Sequence, residues 1–191
     1  MRDPLPDGGT IRKIWPLECG RYREHLMRLD PASRHNRFGG AVSDAFLASY
    51  ADLALGLDTV IHGFFVHGTI RGAAELRSVG APMAREAEAA FSIETPWQSH
   101  GVGAVLLERT LLVARNRNIK FLHLACIADN ERMRRLARKF GAQLTFDFGS
   151  VAGELAAPHP TPFSVMLEIV ADSHGFATAL IEVQSCLFKT A

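Results

Sequence analysis

The sequence predicts an α/β (α+β) fold with a mixed, mostly antiparallel central sheet, one parallel β-α-β crossover and an added C-terminal helix. Three observations predict this class. Helical segments precede a group of strand segments in the first half of the chain. A helix then leads into a mostly apolar run, which is typical of a buried parallel strand. Residues 163–188 follow a proline-rich linker and form a second long helical segment.

The first elements are a strand and three helices. Residues 11–17 favour a short strand, and Pro16 places it at an edge or near an end of the sheet. Residues 18–29 favour a helix. Asp30 and Pro31 are typical of the N-cap and first position of a second helix, which Gly39 and Gly40 end. Ser43 or Asp44 caps a third helix.

The next segments change to the period of strands. The stretches "TVIHGFFVHG" and "TIRGAAELRSV" predict two strands that meet near His67–Gly68. The stretch "EAEAAFSI" predicts a third strand, because alternate residues fall on opposite faces. One face carries Ala87, Ala89, Phe91 and Ile93, and the other carries Glu86, Glu88, Ala90 and Ser92.

The second half continues as helix, strand, helix and hairpin. Residues 104–117 favour a helix, and the apolar run 119–128 favours a buried parallel strand. Asn130 caps a further helix that Gly141 stops. Residues 142–156 predict a hairpin that turns near Gly149–Ser150, and residues 158–162 form a stiff linker. We therefore expect a domain over residues 1–157 and a helical extension over residues 158–191.

The composition does not indicate any particular class of binding partner. The chain has 191 residues and a formal net charge of +1, which favours neither nucleic acid nor membrane. Cys19, Cys126 and Cys186 form no CxxC pair, so they indicate neither a disulfide framework nor a zinc site. The N-terminus lacks the apolar core of a signal peptide. No unbroken apolar run approaches about 18 residues, so we expect no transmembrane helix and a cytoplasmic location.

The loop "QSHGVGA", residues 98–104, carries the strongest functional signal. Glycines at a helix start leave backbone N–H groups free for an anion, most often a phosphate. A dinucleotide fingerprint needs a third glycine where this chain has Leu106, and a P-loop needs a Gly-Lys-Ser/Thr sequence that is missing. Neither of these two phosphate-binding motifs therefore fits the loop.

The loop instead resembles the Q/R-x-x-G-x-G/A signature of the GNAT superfamily of acyl-CoA-dependent N-acyltransferases. The helix after Asn130 is similar to the second motif of that family, because Met133, Leu136, Lys139 and Gly141 match while Ala142 replaces an aromatic residue. The stretches "AEAAFSI" and "LDPASRHNRF…SD" resemble a subgroup related to bacterial protein lysine acetyltransferases. The resemblance covers residues 11–156.

The resemblance implies acetyl-CoA as cosubstrate, with the loop amides around its pyrophosphate and no metal. It implies that the strand at 86–93 has a bulge and splays from the next strand, with a backbone N–H near Ile93 facing the thioester carbonyl. His100 stands where the family often has Arg or Lys, so phosphate affinity is expected to be lower or to rise as pH falls. The implied cofactor-binding residues are Phe91, Ile93, Gln98, Ser99, His100, Gly101, Val102, Gly103, Ala104, Asn130 and Met133.

Transfer to an amine requires a proton acceptor, because a lysine-like amine has a reference pKa of about 10.4. The resemblance implies Glu88 as the general base. The alternative is a solvated Glu88 paired with Arg77, with Glu75 or Glu94 as the base. The chain has only Tyr22 and Tyr50, both before the loop, so no tyrosine is placed as a general acid toward the thiolate.

Several other residues have a structural alternative. Cys126 is expected to be a buried thiol rather than a nucleophile, and His62 and His67 are not expected to bind metal. The basic residues of the helix after Asn130 form a solvated face or contact the 3′-phosphate of coenzyme A or an acidic partner; they are Arg132, Arg134, Arg135, Arg138 and Lys139. The residues that line an acceptor pocket, or are structural, are Arg34, His35, Arg37 and Phe38.

The implied function is transfer of an acetyl group from acetyl-CoA to a primary amine, on a protein lysine or a small molecule. The alternative is a non-catalytic acyl-CoA-binding regulatory or interaction module. The tail is expected to cover the sheet or a second subunit, which gives a possible homodimer. Its apolar positions are Val165, Leu167, Ile169, Phe176, Leu180, Ile181 and Val183.

Overall fold

A computed structural model describes residues 5–56, 58–80, 85–147 and 150–189, with only the backbone for 147, 150 and 183–189. Its strands are β1 (Thr10–Lys13), β2 (Thr59–Val66), β3 (Thr69–Val79), β4 (Glu86–Ile93), β5 (Phe121–Ile127), β6 (Gln143–Asp147) and β7 (Ser150–Ala156). Its helices are α1 (Cys19–Arg28), α2 (Pro31–Phe38), α3 (Asp44–Ala54), α4 (Val102–Asn116), α5 (Glu131–Lys139) and α6 (Pro162–Lys189).

The seven strands form one sheet in the order β1-β2-β3-β4-β5-β7-β6. Every neighbouring pair is antiparallel except β4 and β5, which are parallel and joined by α4. The mixed sheet and its single crossover confirm the predicted fold class. β1 lies at an edge, as Pro16 indicated, but ends at Lys13 because Pro16 begins a short 3-10 turn.

The predicted helix caps are confirmed. Asp30 accepts a hydrogen bond from the backbone N–H of Ser33, and Asn130 accepts one from Met133. Ser43, rather than Asp44, caps α3 by accepting a hydrogen bond from the N–H of Phe46. Gly39 ends α2 in the left-handed conformation, with φ of 74°, which glycine adopts without a steric penalty.

The two predicted hairpins are also present. His67 and Gly68 both have positive φ values, 48° and 74°, as a two-residue turn between twisted strands requires. β6 and β7 pair antiparallel from Gln143–Glu154 to Asp147–Ser150. The expected turn at Gly149 lies outside the described residues.

Helices cover both faces of the sheet. α1 and α3 pack on one face over Ile61, Ile70 and Ala73. On the other face, a second cluster includes Leu107 of α4 and Ala137 of α5 together with strand residues. β4 alternates between these layers as predicted: Ala87 and Ala89 are buried under α4 and α5, while Glu88 is exposed on the opposite face.

β4 and β5 separate after a short paired segment. Their parallel pairing covers only Glu86–Glu88 of β4 and Phe121–His123 of β5. The two strands therefore diverge toward the C-terminal end of β4. The expected bulge in β4 is not found on its other side, because β3 and β4 keep one register from Val79–Glu86 to Gly72–Ile93.

α6 packs against β1 and α4 through its polar side chains. Asp172 pairs with Lys13 of β1 at 3.3 Å, Glu182 pairs with Arg12 at 2.9 Å, and Glu168 accepts a hydrogen bond from Asn116 of α4 at 2.6 Å. By length and composition alone, Pro162–Glu182 is also apolar enough to cross a membrane, although charged residues interrupt the run. One such helix is weak evidence for a membrane span.

Candidate functional site

A cleft of about 440 Å³ opens where β4 and β5 diverge. It lies between the end of β4, the glycine loop, the start of α4 and parts of α2 and α5. Most of the residues that the resemblance assigned to the cofactor lie together in its wall. They are Phe91, Ile93, Gln98, Ser99, Gly101, Gly103, Ala104, Asn130 and Met133.

Two residues of that set lie outside the lining. The side chain of Val102 is buried in a cluster with Phe64 and Leu106, because the first residue of α4 faces the sheet. Val102 can therefore offer only its backbone to the cleft. His100 is exposed in the loop and does not line the cleft.

The start of α4 presents unpaired backbone donors. Gly101, the N-cap, has φ of 81° and no side chain to cap the helix. The carbonyl of Gly101 accepts hydrogen bonds from the N–H groups of Ala104 and Val105, at 3.0 and 3.2 Å. The N–H groups of Val102 and Gly103 precede these bonds and have no partner inside the helix. With the positive end of the helix dipole, they form a site suited to an anion.

Gln98 holds three elements around the cleft. Its side-chain nitrogen donates to the carbonyl of Ile93 at 2.7 Å and to the hydroxyl of Ser33 at 3.1 Å. Its side-chain oxygen accepts from Arg132 at 2.9 Å. The geometry of the cleft mouth therefore depends on Gln98, which joins β4, α2 and α5.

Asp30 fixes α2 against the segment before the loop. Its carboxylate accepts hydrogen bonds from the hydroxyl of Thr95 and the N–H of Ser33. These two donors lower the pKa of Asp30 to about 2. The wall formed by α2 is thus tied to the loop at two points, Asp30–Thr95 and Ser33–Gln98.

The basic side chains of α5 divide into two groups. Arg132, Arg135 and Lys139 line the cleft, which is the spacing of one helix face. Arg134 instead pairs with Glu131 at 3.6 Å on the helix surface. The sequence left open whether these basic side chains form a solvated face or contact a phosphate. In the structure, Arg132, Arg135 and Lys139 face the cleft, whereas Arg134 lies on the helix surface.

Glu88 is exposed on the face of β4 opposite α4. It lies between Arg77 of β3 and His123 of β5 in the sheet register, and it does not line the cleft. Among the described residues it has no ion pair: Arg77 lies 4.0 Å from Glu75 instead. The carboxylate is therefore free on an open part of the sheet, at the point where β4 and β5 begin to separate.

Glu75, the first alternative base, is buried in a hydrogen-bond network. It accepts from the hydroxyls of Tyr22 and Tyr50 and from the guanidinium of Arg37. Burial and the Glu75 carboxylate raise the pKa of Tyr50 to about 12, and burial also raises the pKa of Tyr22 well above its ordinary value. Glu75 and both tyrosines thus belong to one structural network.

Glu94, the second alternative, is also buried and fully paired. Its carboxylate accepts from Arg28 and Arg71, each at 2.9 Å, and contacts His25 at 3.2 Å. Burial opposes ionisation, but these hydrogen bonds outweigh it and lower the pKa to about 2. A carboxylate with so low a pKa is a poor proton acceptor.

His25 connects Glu94 to the cleft. Its Nδ1 lies 3.2 Å from Glu94, and its Nε2 lies 2.9 Å from the hydroxyl of Ser92. Ser92 lines the cleft, whereas His25 is completely buried. Sequence reasoning did not find this arrangement, because it joins α1 to β4 and no local motif contains both residues.

The remaining candidates have structural positions. Cys126 is buried, and burial raises the pKa of its thiol, which disfavours the thiolate. His62 is buried, and burial with nearby positive charges lowers its pKa to about 3. No group of three or more His, Cys, Asp or Glu side chains in the described part of the chain is placed to hold a metal ion.

α2 lines the cleft through residues other than the four considered, which were Arg34, His35, Arg37 and Phe38. Ser33 and Asn36 line it. Arg34 instead pairs with Asp44 at 2.6 Å, Arg37 faces Glu75, and Phe38 packs against Phe46 and Tyr50. The start and end of α2 were predicted correctly, but the sequence did not show which of its side chains face the cleft.

Solved structures show the same fold. The GNAT domain of PAT from Streptomyces lividans matches with a TM-score of 0.68 and 24% identity, covering 81% of this chain and 94% of that chain. The protein yncA of Salmonella typhimurium, solved with its cofactor acetyl-CoA, matches with a TM-score of 0.62 and 18% identity. That alignment covers 81% of this chain and 97% of the other.

Sequence comparisons extend the likeness from fold to family. An acetyltransferase of Pseudomonas aeruginosa is 32% identical over 147 residues, which is 73% of this chain and 78% of that protein. The model of the acetyltransferase (GNAT) family matches residues 24–142, the segment from α1 to the end of α5 that builds the cleft. The chain therefore belongs to the GNAT family of acetyltransferases.

Proposed function

We propose that the protein transfers an acetyl group from acetyl-CoA to a primary amine by direct attack, with Glu88 as general base. The observation that carries this proposal is the cleft between the diverging strands, which has the uncapped start of α4 at one end. The acceptor class that we favour, from the subgroup resemblance, is a protein lysine or a small amine.

The cleft residues fit coenzyme A at three points. The N–H groups of Val102 and Gly103 suit a pyrophosphate. Arg132, Arg135 and Lys139 add positive charge on the α5 side. At the floor, a Cβ added to Gly103 would lie 3.5 Å from both Ile93 and Leu136, so glycine leaves that space open.

The backbone of β4 supplies a donor for the thioester carbonyl. The N–H of Glu94 bonds to the carbonyl of Arg71 in β3 at 3.0 Å. Because antiparallel pairing alternates along a strand, the N–H of Ile93 points away from β3 and toward the cleft. This supports the role of Ile93 in stabilising negative charge on the carbonyl oxygen.

Acetyl-CoA supplies a thioester carbonyl that an unprotonated amine attacks. The Glu88 carboxylate takes the proton of the incoming ammonium, directly or through water. Its exposure on the face opposite α4 lets an acceptor approach without crossing the cofactor side of the sheet. Glu75 and Glu94 are excluded from this role by their saturated hydrogen bonding.

Release of free coenzyme A from acetyl-CoA in the presence of an amine panel tests the proposal. The panel includes N-acetyl-lysine amide, lysine peptides, a polyamine and an aromatic amine. Amine-dependent release, with the acetylated product seen by mass spectrometry, supports transfer. Binding of acetyl-CoA without release for any amine would favour the alternative, a non-catalytic acyl-CoA-binding module.

We propose in addition that the protein forms a homodimer through the outer face of α6. The described acidic side chains of α6 point inward to Arg12, Lys13 and Asn116, whereas its outer side is apolar. Phe163, Val170 and Ile181 are 63%, 62% and 65% exposed. Six large apolar side chains are exposed away from the groove that α6 forms with Trp15 and α4. Together they expose roughly 600 Å², the lower end of what each partner buries in a standard-size interface. They are Phe163, Met166, Leu167, Val170, Leu180 and Ile181.

The mass of the full chain in solution tests the dimer. We expect a dimer for the unchanged protein and a monomer for Val170→Glu. Leu53→Glu is the matched control, because Leu53 is 81% exposed on α3, away from this face, and its variant should remain a dimer. A monomer at tens of micromolar, or binding of the unchanged chain to lipid vesicles, would overturn the proposal.

A further inference from the structure

Ser92, His25 and Glu94 form a hydrogen-bonded chain that ends in the cleft. The Ser92 hydroxyl lies 2.9 Å from Nε2 of His25, and Nδ1 of His25 lies 3.2 Å from the Glu94 carboxylate. These are the distances within which a nucleophile, its base and the group that orients the base act together. Glu94 is in turn held by Arg28 and Arg71.

The protonation states follow from the partners. Glu94 is ionised, since its pKa is about 2, so it can only accept, and His25 must carry its proton on Nδ1. Nε2 then has a free lone pair toward Ser92, whose hydroxyl donates to it. Burial lowers the pKa of His25 despite the neighbouring carboxylate, so the ring is neutral near pH 7 and able to take a proton.

The hydrogen-bonded series Ser92–His25–Glu94 reaches the wall of the cleft through Ser92. Ser92 is one of the residues that line the cleft, beside Phe91, Ile93 and Gln98, although only 5% of its surface is exposed. The adjacent N–H of Ile93 points into the same space. A hydroxyl in the cleft wall is therefore followed by a neutral base and an orienting carboxylate, next to a backbone donor.

We propose that Ser92 is an acyl-accepting nucleophile, activated by His25 and oriented by Glu94, which gives the protein a second activity: hydrolysis of acyl thioesters in the absence of an amine. The Ser92 oxygen bonds to the thioester carbonyl carbon as His25 takes the hydroxyl proton. The carbon–sulfur bond then breaks, and the thiolate takes that proton from His25. A water molecule, deprotonated by His25, then bonds to the acyl carbon. The bond between that carbon and the Ser92 oxygen breaks, Ser92 takes the proton back from His25, and the carboxylic acid leaves.

The proposal differs from direct attack assisted by Glu88, although hydrolysis rests on the binding of acyl-CoA in the same cleft. Reactivity of the serine itself does not depend on that binding. An alkyl fluorophosphonate bonds to an activated serine with loss of fluoride and needs neither coenzyme A nor an amine. It therefore tests the serine separately from the proposed acetyl transfer.

The experiment is labelling of the full chain with an alkyl fluorophosphonate, followed by mapping of the modified residue by mass spectrometry. We expect stoichiometric label on Ser92, and loss of at least about tenfold in labelling rate for Ser92→Ala. Ser78→Ala is the matched control, because Ser78 is exposed on β3 and lies outside the cleft lining. Its variant should label within about twofold of the unchanged protein.

Amine-free release of coenzyme A from acetyl-CoA provides the second measurement. We expect slow release by the unchanged protein and loss of at least about tenfold for Ser92→Ala with its fold retained. Label on another residue, or no label on the unchanged protein, would overturn the assignment even if Ser92→Ala failed to fold. Failure of acetyl-CoA to bind while Ser92 labels would refute the proposed function and leave the activated serine in place.

Discussion

At the scale of single residues, the carboxylates of the molecule have separate tasks because their surroundings differ. Glu75 and Glu94 are buried and saturated with hydrogen bonds, whereas Glu88 is exposed and has no ion pair among the described residues. Only a carboxylate with free lone pairs can accept a proton from an incoming ammonium. Of these three carboxylates, Glu88 is therefore the one that we propose for proton transfer.

Glu88→Gln is predicted to lower the turnover number of amine acetylation by roughly 10²–10⁴, with little change in acetyl-CoA affinity. The variant keeps the shape of the side chain and removes its basicity. Steady-state release of coenzyme A and calorimetric binding measure the two effects. Glu86→Gln, on the same face and bonded to His123 at 3.0 Å, is the control and should keep activity within about twofold. Full activity of Glu88→Gln would exclude Glu88 as the base.

Glu94 is predicted to make the free energy of unfolding depend on pH in the acidic range. Its pKa falls from the model-compound value of 4.5 to about 2 on folding, so it stabilises the fold above about pH 4.5. That contribution is lost as pH falls through 2. Glu94→Gln should reduce the free energy of unfolding at pH 7 by about 2 kcal/mol, and the difference from the unchanged protein should narrow toward pH 2.

Urea unfolding at pH 7 and pH 3 measures this difference. Glu24→Gln is the matched control, because Glu24 contacts Arg28 at 3.8 Å but is 71% exposed. Its variant should change stability by less than about 0.5 kcal/mol at either pH. An equal loss for Glu94→Gln at both pH values would show that the carboxylate charge is not the source of the stabilisation.

At the scale of elements, the glycine loop and the start of α4 determine what the cleft can hold. Gly103→Ala is predicted to keep or raise the melting temperature, because alanine favours a helix and the new Cβ makes only ordinary contacts at 3.5 Å. The methyl group nevertheless fills the floor of the cleft. We expect acetyl-CoA affinity to fall about tenfold, which is about 1.4 kcal/mol.

Thermal unfolding without ligand and calorimetric titration with acetyl-CoA separate the two effects of Gly103→Ala. Gly20→Ala in α1 is the control, since its Cβ would meet nothing within 4 Å and lies outside the cleft lining. Unchanged affinity of Gly103→Ala would show that the ligand does not reach the floor between Ile93 and Leu136.

The elements were largely predictable because each carries a local signal. Asp30, Ser43 and Asn130 mark helix starts by hydrogen bonds within one turn, and His67–Gly68 marks a hairpin by its backbone angles. The regular register of β3 and β4, where a bulge was expected, depends on packing across strands. No local pattern in the sequence reports that packing.

The site was predictable only in its local part. The loop and the start of α5 were recognised from contiguous motifs, and most of their residues line one cleft. The contact of His25 with Ser92 joins residues far apart in the chain, so it had no sequence signal. The same holds for the rotation of α2, which turns Ser33 and Asn36, not Arg37 and Phe38, toward the cleft.

At the scale of the whole molecule, the two faces of the sheet differ in what they can bind. Helices α4 and α5 and the glycine loop form the side suited to a phosphorylated cofactor. Glu88 lies on the opposite face, open to an acceptor. The divergence of β4 and β5 connects the two sides. α6 adds an apolar outer surface that lies beyond the segment matched by the family, residues 24–142.

Binding of acetyl-CoA in the cleft is the central claim, because both the acetyl transfer and the thioester hydrolysis depend on it. Thermal unfolding of the full chain with and without acetyl-CoA tests it most directly. At about 100 times the dissociation constant, binding adds about 2.7 kcal/mol of stability. For a chain of this size we predict a rise in melting temperature of roughly 5–10 °C. No rise at millimolar acetyl-CoA would contradict the claim.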